Sequence, residues 1–503
     1  MANQKKAGVL LGYANILVKN IVNLFYVPLL LHFVGQGDYG VFQMTNSVIF
    51  SLSLLSAGFY GSYVRFFMIK KTAGDEEGIK QLNGLFLIVY CIAACFSLFI
   101  GFFLSANVDI FFSRGLNQKE ILLARELMVI MTVNIAFTFL SSPFNAYIVA
   151  FERFVYQQSR QLFTAIITPV CAVILLFFGM GAIGVAIAQL AITLVLLVMN
   201  ITYAVNKIGM RLQFKGIKFS LLKAILIFSF WIFLNQVFDL VNNNVPNFLL
   251  GAMASSTAVA VFSISVQIRN IFVSLSSTMS NVFVPQINRI VAKTDDNEVL
   301  TKLMTRVGRY QMIIFWYLFG GFIVLGKYFV KLWAGEMNLD AYWLCLIMVL
   351  PVMIPLTQNT GIEIQRAKNR HKARSLIYIL TSVIDIVISV LLIPSCGYWA
   401  TAIGYVASIV LGTGLFMNWY YHTRIGLDMV YFWKHQLPTI GLALVTVAVC
   451  LLGGVVLPVE SIPLFLLWGA VYTIIFGAGA MKVSLTPEER GKVIARLQRK
   501  VRK

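Results

Sequence analysis

The chain of 503 residues is 59% hydrophobic and only 12% charged, and its formal net charge is +20. With a mean hydropathy of +0.83, this composition excludes a soluble protein and predicts a multi-pass membrane protein from near the first residue to about residue 481. The positive charge does not indicate nucleic-acid binding, because most of it lies in short connections between apolar segments. The first apolar segment is too long for a signal peptide and lacks a small-residue cleavage pattern, so we interpret it as an uncleaved helix.

About fourteen apolar segments are long enough to cross a bilayer as helices, which predicts an all-α polytopic fold. They lie at residues 8–34, 39–68, 82–105, 121–150, 158–178, 181–205, 219–250, 255–288, 306–330, 339–365, 373–394, 397–422, 432–457 and 461–481. Basic residues are concentrated in alternate connections, whereas opposite turns such as residues 35–40 and 395–400 contain none. The positive-inside rule therefore predicts that both termini lie in the cytoplasm.

The first predicted helix carries one polar stripe, because Asn15, Lys19, Asn23 and Tyr26 follow at spacings of four, four and three residues. Lys19 lies near the middle of the segment. An ammonium at that depth costs about 2.5–3.5 kcal/mol unless it faces protein or water. The stripe is therefore a candidate binding site.

The second predicted helix places Ser47, Ser51, Gly58, Ser62 and Arg65 on one face. This small, polar stripe indicates either the wall of a water-filled cavity or hydrogen bonds between helices. Arg65 lies near the cytoplasmic end, where it could also extend to the membrane surface.

A second copy of the first stripe appears at Asn235, Asp239 and Asn243, since Asn15 and Asn23 recur 220 residues later. Lys19 corresponds to Asp239 at the same offset. This duplication predicts two pseudo-symmetric six-helix lobes.

The predicted organisation follows from the repeat. It consists of an N-terminal lobe at 1–205 (helices 1–6), a cytoplasmic linker at 206–218, a second lobe at 219–422 (helices 7–12), an added helix pair at 423–481 and a basic amphipathic tail at 482–503. The tail is expected to lie on the anionic cytoplasmic leaflet.

Two further ionisable residues fall within apolar segments. Arg269 lies near the middle of the eighth segment, and Asp385 is an isolated acid in the eleventh. Asp239 and Asp385 are candidates for a coupling ion, H⁺ or Na⁺. The six cysteines form no Cys-x-x-Cys pair and the four histidines do not cluster, so neither a metal site nor a cofactor is predicted.

The two lobes, the polar first helix, the turn Gly35-Gln36-Gly37-Asp38-Tyr39-Gly40 and the added helix pair resemble the oligosaccharide flippase family. These Wzx-type polysaccharide transporters belong to the MOP superfamily, which also contains MATE exporters and lipid II flippases. The resemblance covers essentially the whole chain. It implies a MOP/MATE-like fold in the bacterial cytoplasmic (inner) membrane and alternating access of a central cleft.

The implied substrate is an undecaprenyl-pyrophosphate-linked oligosaccharide for cell-surface polysaccharide. Its pyrophosphate needs cationic partners, for which Lys19 and Arg269 are the deepest candidates, with Arg65 nearer the cytoplasm. The amides of Asn15, Asn23, Asn235 and Asn243 could meet sugar hydroxyls. The implied partners are this lipid-linked substrate, the phospholipid bilayer and other membrane proteins of polysaccharide assembly.

Other interpretations stay open from the sequence. Lys19 and Asp239 could neutralise each other, and Arg269 could pair with Asp239 or Asp385. A MATE-like cation-coupled drug antiporter and a lipid II flippase are alternative functions. A membrane polymerase or ligase is disfavoured, because the longest outer segments have about fifteen residues and no Asp-x-Asp occurs.

Overall fold

The computed structural model describes residues 2–216, 219–280, 283–368, 370 and 372–491. Within these helices, the side chains of residues 2–10, 13, 55, 57, 231, 232, 234, 235, 238, 239, 275–280, 285 and 372 lie outside the description. The last twelve residues of the predicted amphipathic tail, 492–503, also lie outside the described residues.

The described part of the chain is helical, and it contains no strand. Its α-helices are α1 (Ala2–Val34), α2 (Gln36–Ser51), α3 (Leu54–Thr72), α4 (Glu76–Ala106), α5 (Val108–Phe112), α6 (Gln118–Ala150), α7 (Phe154–Phe177), α8 (Gly181–Thr202), α9 (Phe219–Asn243), α10 (Val245–Met253), α11 (Ser256–Ser280), α12 (Val284–Lys293), α13 (Asn297–Ala334), α14 (Asp340–Thr357), α15 (Asn359–Ala367), α16 (Lys372–Cys396), α17 (Tyr398–Ile409), α18 (Met417–Tyr420), α19 (Met429–Val456) and α20 (Ile462–Gly479). Short π-helical segments follow or separate some of them, at Tyr203–Ile208, Val410–Phe416, Tyr421–Ile425 and Ala480–Ser484. The predicted all-α polytopic fold is confirmed.

Among the described residues, twelve helical segments are long and apolar enough to cross a membrane. The predicted second segment is instead the consecutive pair α2 and α3, interrupted at residues 52–53. The predicted seventh segment is the pair α9 and α10, interrupted at Asn244. The predicted tenth segment is likewise divided at Gln358 between α14 and α15, and the predicted eighth segment is covered by α11 and α12. Helices therefore occupy all fourteen predicted segments, but several of these segments comprise more than one helix.

Polar side chains define where several helices begin. The Asp75 carboxylate accepts a hydrogen bond from the Gly78 amide at 2.7 Å ahead of α4. Asn117 and Glu120 form a reciprocal capping box at α6, and Asp428 caps α19 through the Tyr431 amide at 2.9 Å. Each cap provides an acceptor for a backbone N–H of the first helical turn, which has no carbonyl acceptor within its own helix.

Packing divides the chain into two compact units. Unit 1 comprises Met1–Ser263 and Ser389–Tyr398, and unit 2 comprises Ile264–Ile388 and Trp399–Lys503. Helices α9 and α10 therefore pack with the N-terminal helices, while α11 and α16 contribute residues to both units. The lobe boundaries predicted at residues 205 and 219 rest on the sequence repeat and stay a prediction.

Unit 1 is built from helix pairs in close contact, which include α4 with α6, α1 with α7, α6 with α8, and α3 with α9. Glycine permits the closest approaches. A Cβ on Gly40 of α2 would lie 2.6 Å from the carbonyl carbon of Ser256, at the start of α11. Since no side chain fits there, the backbones pack directly against each other.

Unit 2 is organised around the 38-residue helix α13, which packs against α14, α19 and α20. At the centre, the hydroxyl of the buried Tyr472 on α20 donates to the Trp316 carbonyl at 2.7 Å. Large apolar side chains of α19, such as Leu452 and Val455, are strongly exposed. Such a surface is expected where a helix faces lipid.

Candidate functional site

The polar stripe of the first helix is divided between packing and exposure. Asn15 is buried, and its side-chain amide donates to the backbone oxygen of Gln158 at 2.8 Å and to Gln158 Oε1 at 2.7 Å. These two bonds join α1 to α7. Asn15 therefore takes part in helix packing in this conformation, and its contact with sugar hydroxyls stays a prediction.

Lys19 and Asn23 are exposed on the same helix. Among the described side chains, no carboxylate lies within 4.0 Å of the Lys19 ammonium. The side chain of Asp239, its partner in the alternative interpretation, lies outside the described residues, as does that of Asn235. Lys19 thus carries an exposed positive charge in a membrane-spanning helix.

Arg65 lies on α3, at the contact with α9. Its guanidinium carbon is 4.4 Å from the centroid of the Phe228 ring, and the arginine is exposed overall. One turn earlier, the buried hydroxyls of Ser62 and Ser229 are 2.6 Å apart. A cation over an aromatic face keeps its charge while its orientation is fixed. Arg65 thus lies over the Phe228 ring while remaining exposed, so its extension to the membrane surface stays open.

The serine stripe of the second predicted helix forms hydrogen bonds between helices. Asn247 on α10 donates to Ser47 Oγ at 2.8 Å, and Ser263 on α11 donates to Asn247 Oδ1 at 3.2 Å. All three side chains are buried. Together with the Ser62–Ser229 contact, these bonds favour the packing interpretation of the stripe over a cavity wall. Asn243 lies half-buried at the end of α9.

Unit 2 contains a buried polar cluster around Arg269 of α11. The Arg269 side chain is 2% exposed, and its guanidinium carbon lies 4.4 Å from the centroid of the Tyr405 ring on α17. Tyr405 also interacts electrostatically with Asp385 of α16, which is itself 2% exposed. Cys345 of α14 also lies close enough to interact electrostatically with Arg269.

This cluster brings together the two unit 2 residues predicted as site residues, Arg269 and Asp385. Opposite charges around one tyrosine can stabilise each other at low dielectric, where either charge alone is costly. In this conformation the Arg269 guanidinium is enclosed by protein. The structure thus places both residues in one enclosed cluster, and their roles toward an ion or a substrate stay predictions.

Sequence reasoning missed Gln158 and Tyr405. Gln158 lies in the polar start of α7, where it resembles an ordinary cytoplasmic residue. Tyr405 is an aromatic residue among small ones, in the run Ala402-Ile403-Gly404-Tyr405, and only this local contrast marks it. Within the part of the chain that the structure describes, no group of three His, Cys, Asp or Glu residues could hold a metal ion.

Comparison with known proteins gives the architecture and the family. The structure of "Lipid II flippase MurJ, inward closed conformation" matches with a TM-score of 0.75 and 14% identity, covering 94% of this chain and 98% of that one. An inward-facing multidrug resistance MATE family transporter of the MOP superfamily matches with a TM-score of 0.62 and 14% identity, covering 83% and 96%. The chain is thus a multi-pass membrane protein with the fold of these transporters.

The sequence comparisons identify the family more closely. The model of a family described as polysaccharide biosynthesis protein matches residues 29–342. The chain is also 22% identical over 496 residues to the "Uncharacterized membrane protein EpsK" of Bacillus subtilis strain 168, with 96% of each chain covered. The chain belongs to the polysaccharide biosynthesis protein family.

Proposed function

We propose that the protein is a flippase for an undecaprenyl-pyrophosphate-linked oligosaccharide. It moves this substrate across the cytoplasmic membrane by alternating access, for the synthesis of O-antigen, capsule or exopolysaccharide. One observation carries the proposal: a chain of the polysaccharide biosynthesis family has the MurJ fold over 94% of its length. A transporter of this kind needs no catalytic residues, and none are assigned.

The charges of the candidate site support an anionic headgroup. Lys19 and Arg65 present positive charge in unit 1, and Arg269 is the buried cation of unit 2. Guanidinium and ammonium groups are the side chains that bind pyrophosphate, by paired hydrogen bonds and as a point charge respectively. Among the amides, exposed Asn23 is better placed than buried Asn15 to meet sugar hydroxyls.

Two related functions compete with this proposal. A lipid II flippase is favoured by the TM-score of 0.75 with MurJ, and its substrate shares the polyprenyl pyrophosphate. A MATE-like cation-coupled drug antiporter is favoured by the TM-score of 0.62 with a MATE transporter. Basic rather than acidic residues at Lys19 and Arg269 argue against an antiporter of cations.

Complementation tests the function. The wild type, Lys19→Ala and Arg269→Ala are expressed at matched membrane levels in a strain blocked at flipping. Lys302→Ala serves as the control, because it removes one exposed cation whose ion pair is with Glu298, one turn away. Surface polysaccharide and inward-facing lipid-linked precursor are then measured.

The proposal predicts rescue by the wild type and by Lys302→Ala, and failure of the other two variants despite normal folding. Rescue by all four chains would keep the flippase but reduce Lys19 and Arg269 to packing residues. Failure of the wild type, together with drug extrusion, would replace the proposal with the antiporter. If the wild type rescues a strain that lacks its lipid II flippase but not the strain blocked at oligosaccharide flipping, lipid II is favoured as the substrate.

Ion coupling is the second part of the proposal. Asp385 is buried beside Tyr405 and Arg269, where binding of H⁺ or Na⁺ would change the charge balance of the cluster. Asp239 is the other candidate. Substitution of both by Asn is expected to abolish the ion dependence of transport. Unchanged transport with unchanged ion dependence would exclude both residues.

A further inference from the structure

Arg160 on α7 is the end of a polar chain that crosses three helices of unit 1. Its Nη1 donates to Asn200 Oδ1 on α8 at 2.6 Å. The Asn200 side-chain amide in turn donates to Ser141 Oγ on α6 at 2.8 Å. Asn200 and Ser141 are both buried, whereas Arg160 is half-buried. Two buried neutral side chains therefore fix the direction of one guanidinium.

The surroundings of Arg160 hold it without neutralising it. Tyr156, one turn earlier on α7, stacks on Tyr203 with ring centroids 3.7 Å apart and donates to the Met199 carbonyl at 3.0 Å. Tyr60 of α3 also interacts with the Arg160 charge. Among the described side chains, no carboxylate lies within 4.0 Å of Arg160.

Arg160 lies at nearly the same depth as Lys19. The contacts Asn15–Gln158 and Phe33–Phe177 show that α1 and α7 run parallel and in register. Lys19 is therefore level with about residue 162 of α7, so that Arg160 lies roughly 3–5 Å away along the helix axes, at 1.5 Å per residue. The two cations share a depth but not a face, because Arg160 lies about 200° around α7 from Gln158 and is directed toward α8 rather than α1.

We propose that Arg160, oriented by Asn200 and Ser141, is a phosphate-binding subsite of unit 1. A guanidinium with one donor fixed by an amide still has donors for two parallel bonds to phosphate oxygens. A guanidinium that no described carboxylate neutralises is costly at membrane depth, and a phosphate group that binds it offsets this cost. A lipid-linked pyrophosphate supplies such a group.

The inference rests on the proposed function and deepens it by assigning a residue to the substrate headgroup. Asn200 and Ser141 are positioning residues, since they act through Arg160. The shared ligand chemistry is a phosphate group on a lipid, and both a polyprenyl pyrophosphate and a bilayer phospholipid carry one. The test must separate these two sources.

The sharpest variant is Asn200→Asp. It keeps the hydrogen bond to Arg160 and the size of the side chain, but it supplies a carboxylate that neutralises the guanidinium. Arg160→Gln removes the charge, and Arg160→Lys restores it without the paired donors. Arg153→Gln is the control, because it makes the same change two turns earlier, just ahead of α7.

Binding is measured on the purified full-length chain in nanodiscs, with farnesyl pyrophosphate as the probe and with inorganic pyrophosphate and phosphatidylglycerol as competitors. Wild type and Arg153→Gln should bind the probe alike. Asn200→Asp and Arg160→Gln should weaken binding at least about tenfold while thermal stability is retained, and Arg160→Lys should recover part of the loss. Competition by phosphatidylglycerol alone would identify the bilayer as the source of the phosphate, and competition by inorganic pyrophosphate would identify the pyrophosphate group.

Absence of probe binding by the wild type, or binding by Asn200→Asp and Arg160→Gln within twofold of the wild type, would overturn the subsite. Complementation by the same variants separates the two proposals. If the wild type, Arg160→Gln and Asn200→Asp all rescue flipping fully, the flippase assignment is retained and the Arg160 subsite is rejected. If the wild type does not rescue flipping but binds the probe through Arg160, the subsite is retained and the flippase assignment is rejected.

Discussion

The contact between α3 and α9 depends on the absence of a side chain at Gly58. A Cβ built on Gly58 would lie 2.8 Å from the carbonyl carbon and 2.9 Å from the Cα of Ser229. Carbon atoms normally approach to about 3.5–4.0 Å. Gly58→Ala therefore requires the two helices to separate locally by roughly 0.7–1 Å, because the opposing atoms belong to the backbone and cannot rotate away.

This separation has a calculable effect on the neighbouring hydrogen bond. The Ser62 and Ser229 hydroxyls are 2.6 Å apart, and an added 0.7–1 Å takes them beyond the usual range of about 2.5–3.0 Å. Overpacking costs about 1–3 kcal/mol and a lost interhelical hydrogen bond in a membrane about 0.6 kcal/mol. We expect Gly58→Ala to destabilise unit 1 by roughly 2–4 kcal/mol.

Thermal unfolding of the purified protein in detergent measures this effect. Gly441→Ala on α19 is the matched control, since a Cβ there would meet no atom within 4 Å. Gly58→Ala should lower the midpoint by several degrees, and Gly441→Ala should leave it unchanged or raise it slightly. Equal midpoints for the two variants would refute the close approach of α3 and α9.

Three further predictions concern packing, pH and topology. Asn15→Ala should reduce thermal stability by about 1–2 kcal/mol, because it removes two hydrogen bonds to Gln158, whereas Asn23→Ala on the same helix should not; equal effects would contradict the α1–α7 contact. Burial raises the pKa of the Glu489 carboxyl, but hydrogen bonds from the Thr486 amide and the Tyr310 hydroxyl and the charge of Arg309 hold this pKa below its ordinary value of 4.5. The stability that Glu489 contributes is therefore complete above about pH 4.5 and is lost as the pH falls through the lowered pKa. The difference in stability between wild type and Glu489→Gln should be constant near neutral pH and become smaller in acid. A difference that grows in acid would contradict this prediction. A variant that keeps only Cys396, which is exposed, should react with a membrane-impermeant maleimide on intact cells. A variant that keeps only the buried Cys345 should react only after denaturation. Labelling of Cys396 only after the cells are permeabilised would reverse the proposed orientation.

The helices were predictable because length and hydropathy are local properties of the sequence. The segment 121–150, for example, corresponds to α6 at Gln118–Ala150, and the capping residues Asn117 and Glu120 are visible in the sequence. The interruption at Asn244 falls two residues before Pro246, whose missing amide favours a helix break there. The interruption at residues 52–53 has no proline or glycine to mark it in the sequence.

The candidate site was only partly predictable, for a different reason. Helical periodicity places Asn15 and Lys19 on one face, but it does not identify the helix that this face meets. Asn15 donates to Gln158, 143 residues away, and Arg160 donates to Asn200, 40 residues away. Positive charge near a helix end is common in cytoplasmic connections, so the sequence alone does not distinguish Arg160 from a topogenic residue.

Transport by the purified protein tests the central claim most directly. The full chain is reconstituted into vesicles that contain a labelled polyprenyl-pyrophosphate oligosaccharide in both leaflets, and an external glycosidase reports the fraction that becomes accessible. The proposal predicts that inner-leaflet substrate becomes accessible with time, and that Lys19→Ala and Arg269→Ala slow this step while Lys302→Ala does not. Protected inner-leaflet substrate in vesicles that contain correctly folded wild-type protein would contradict the assignment as a flippase.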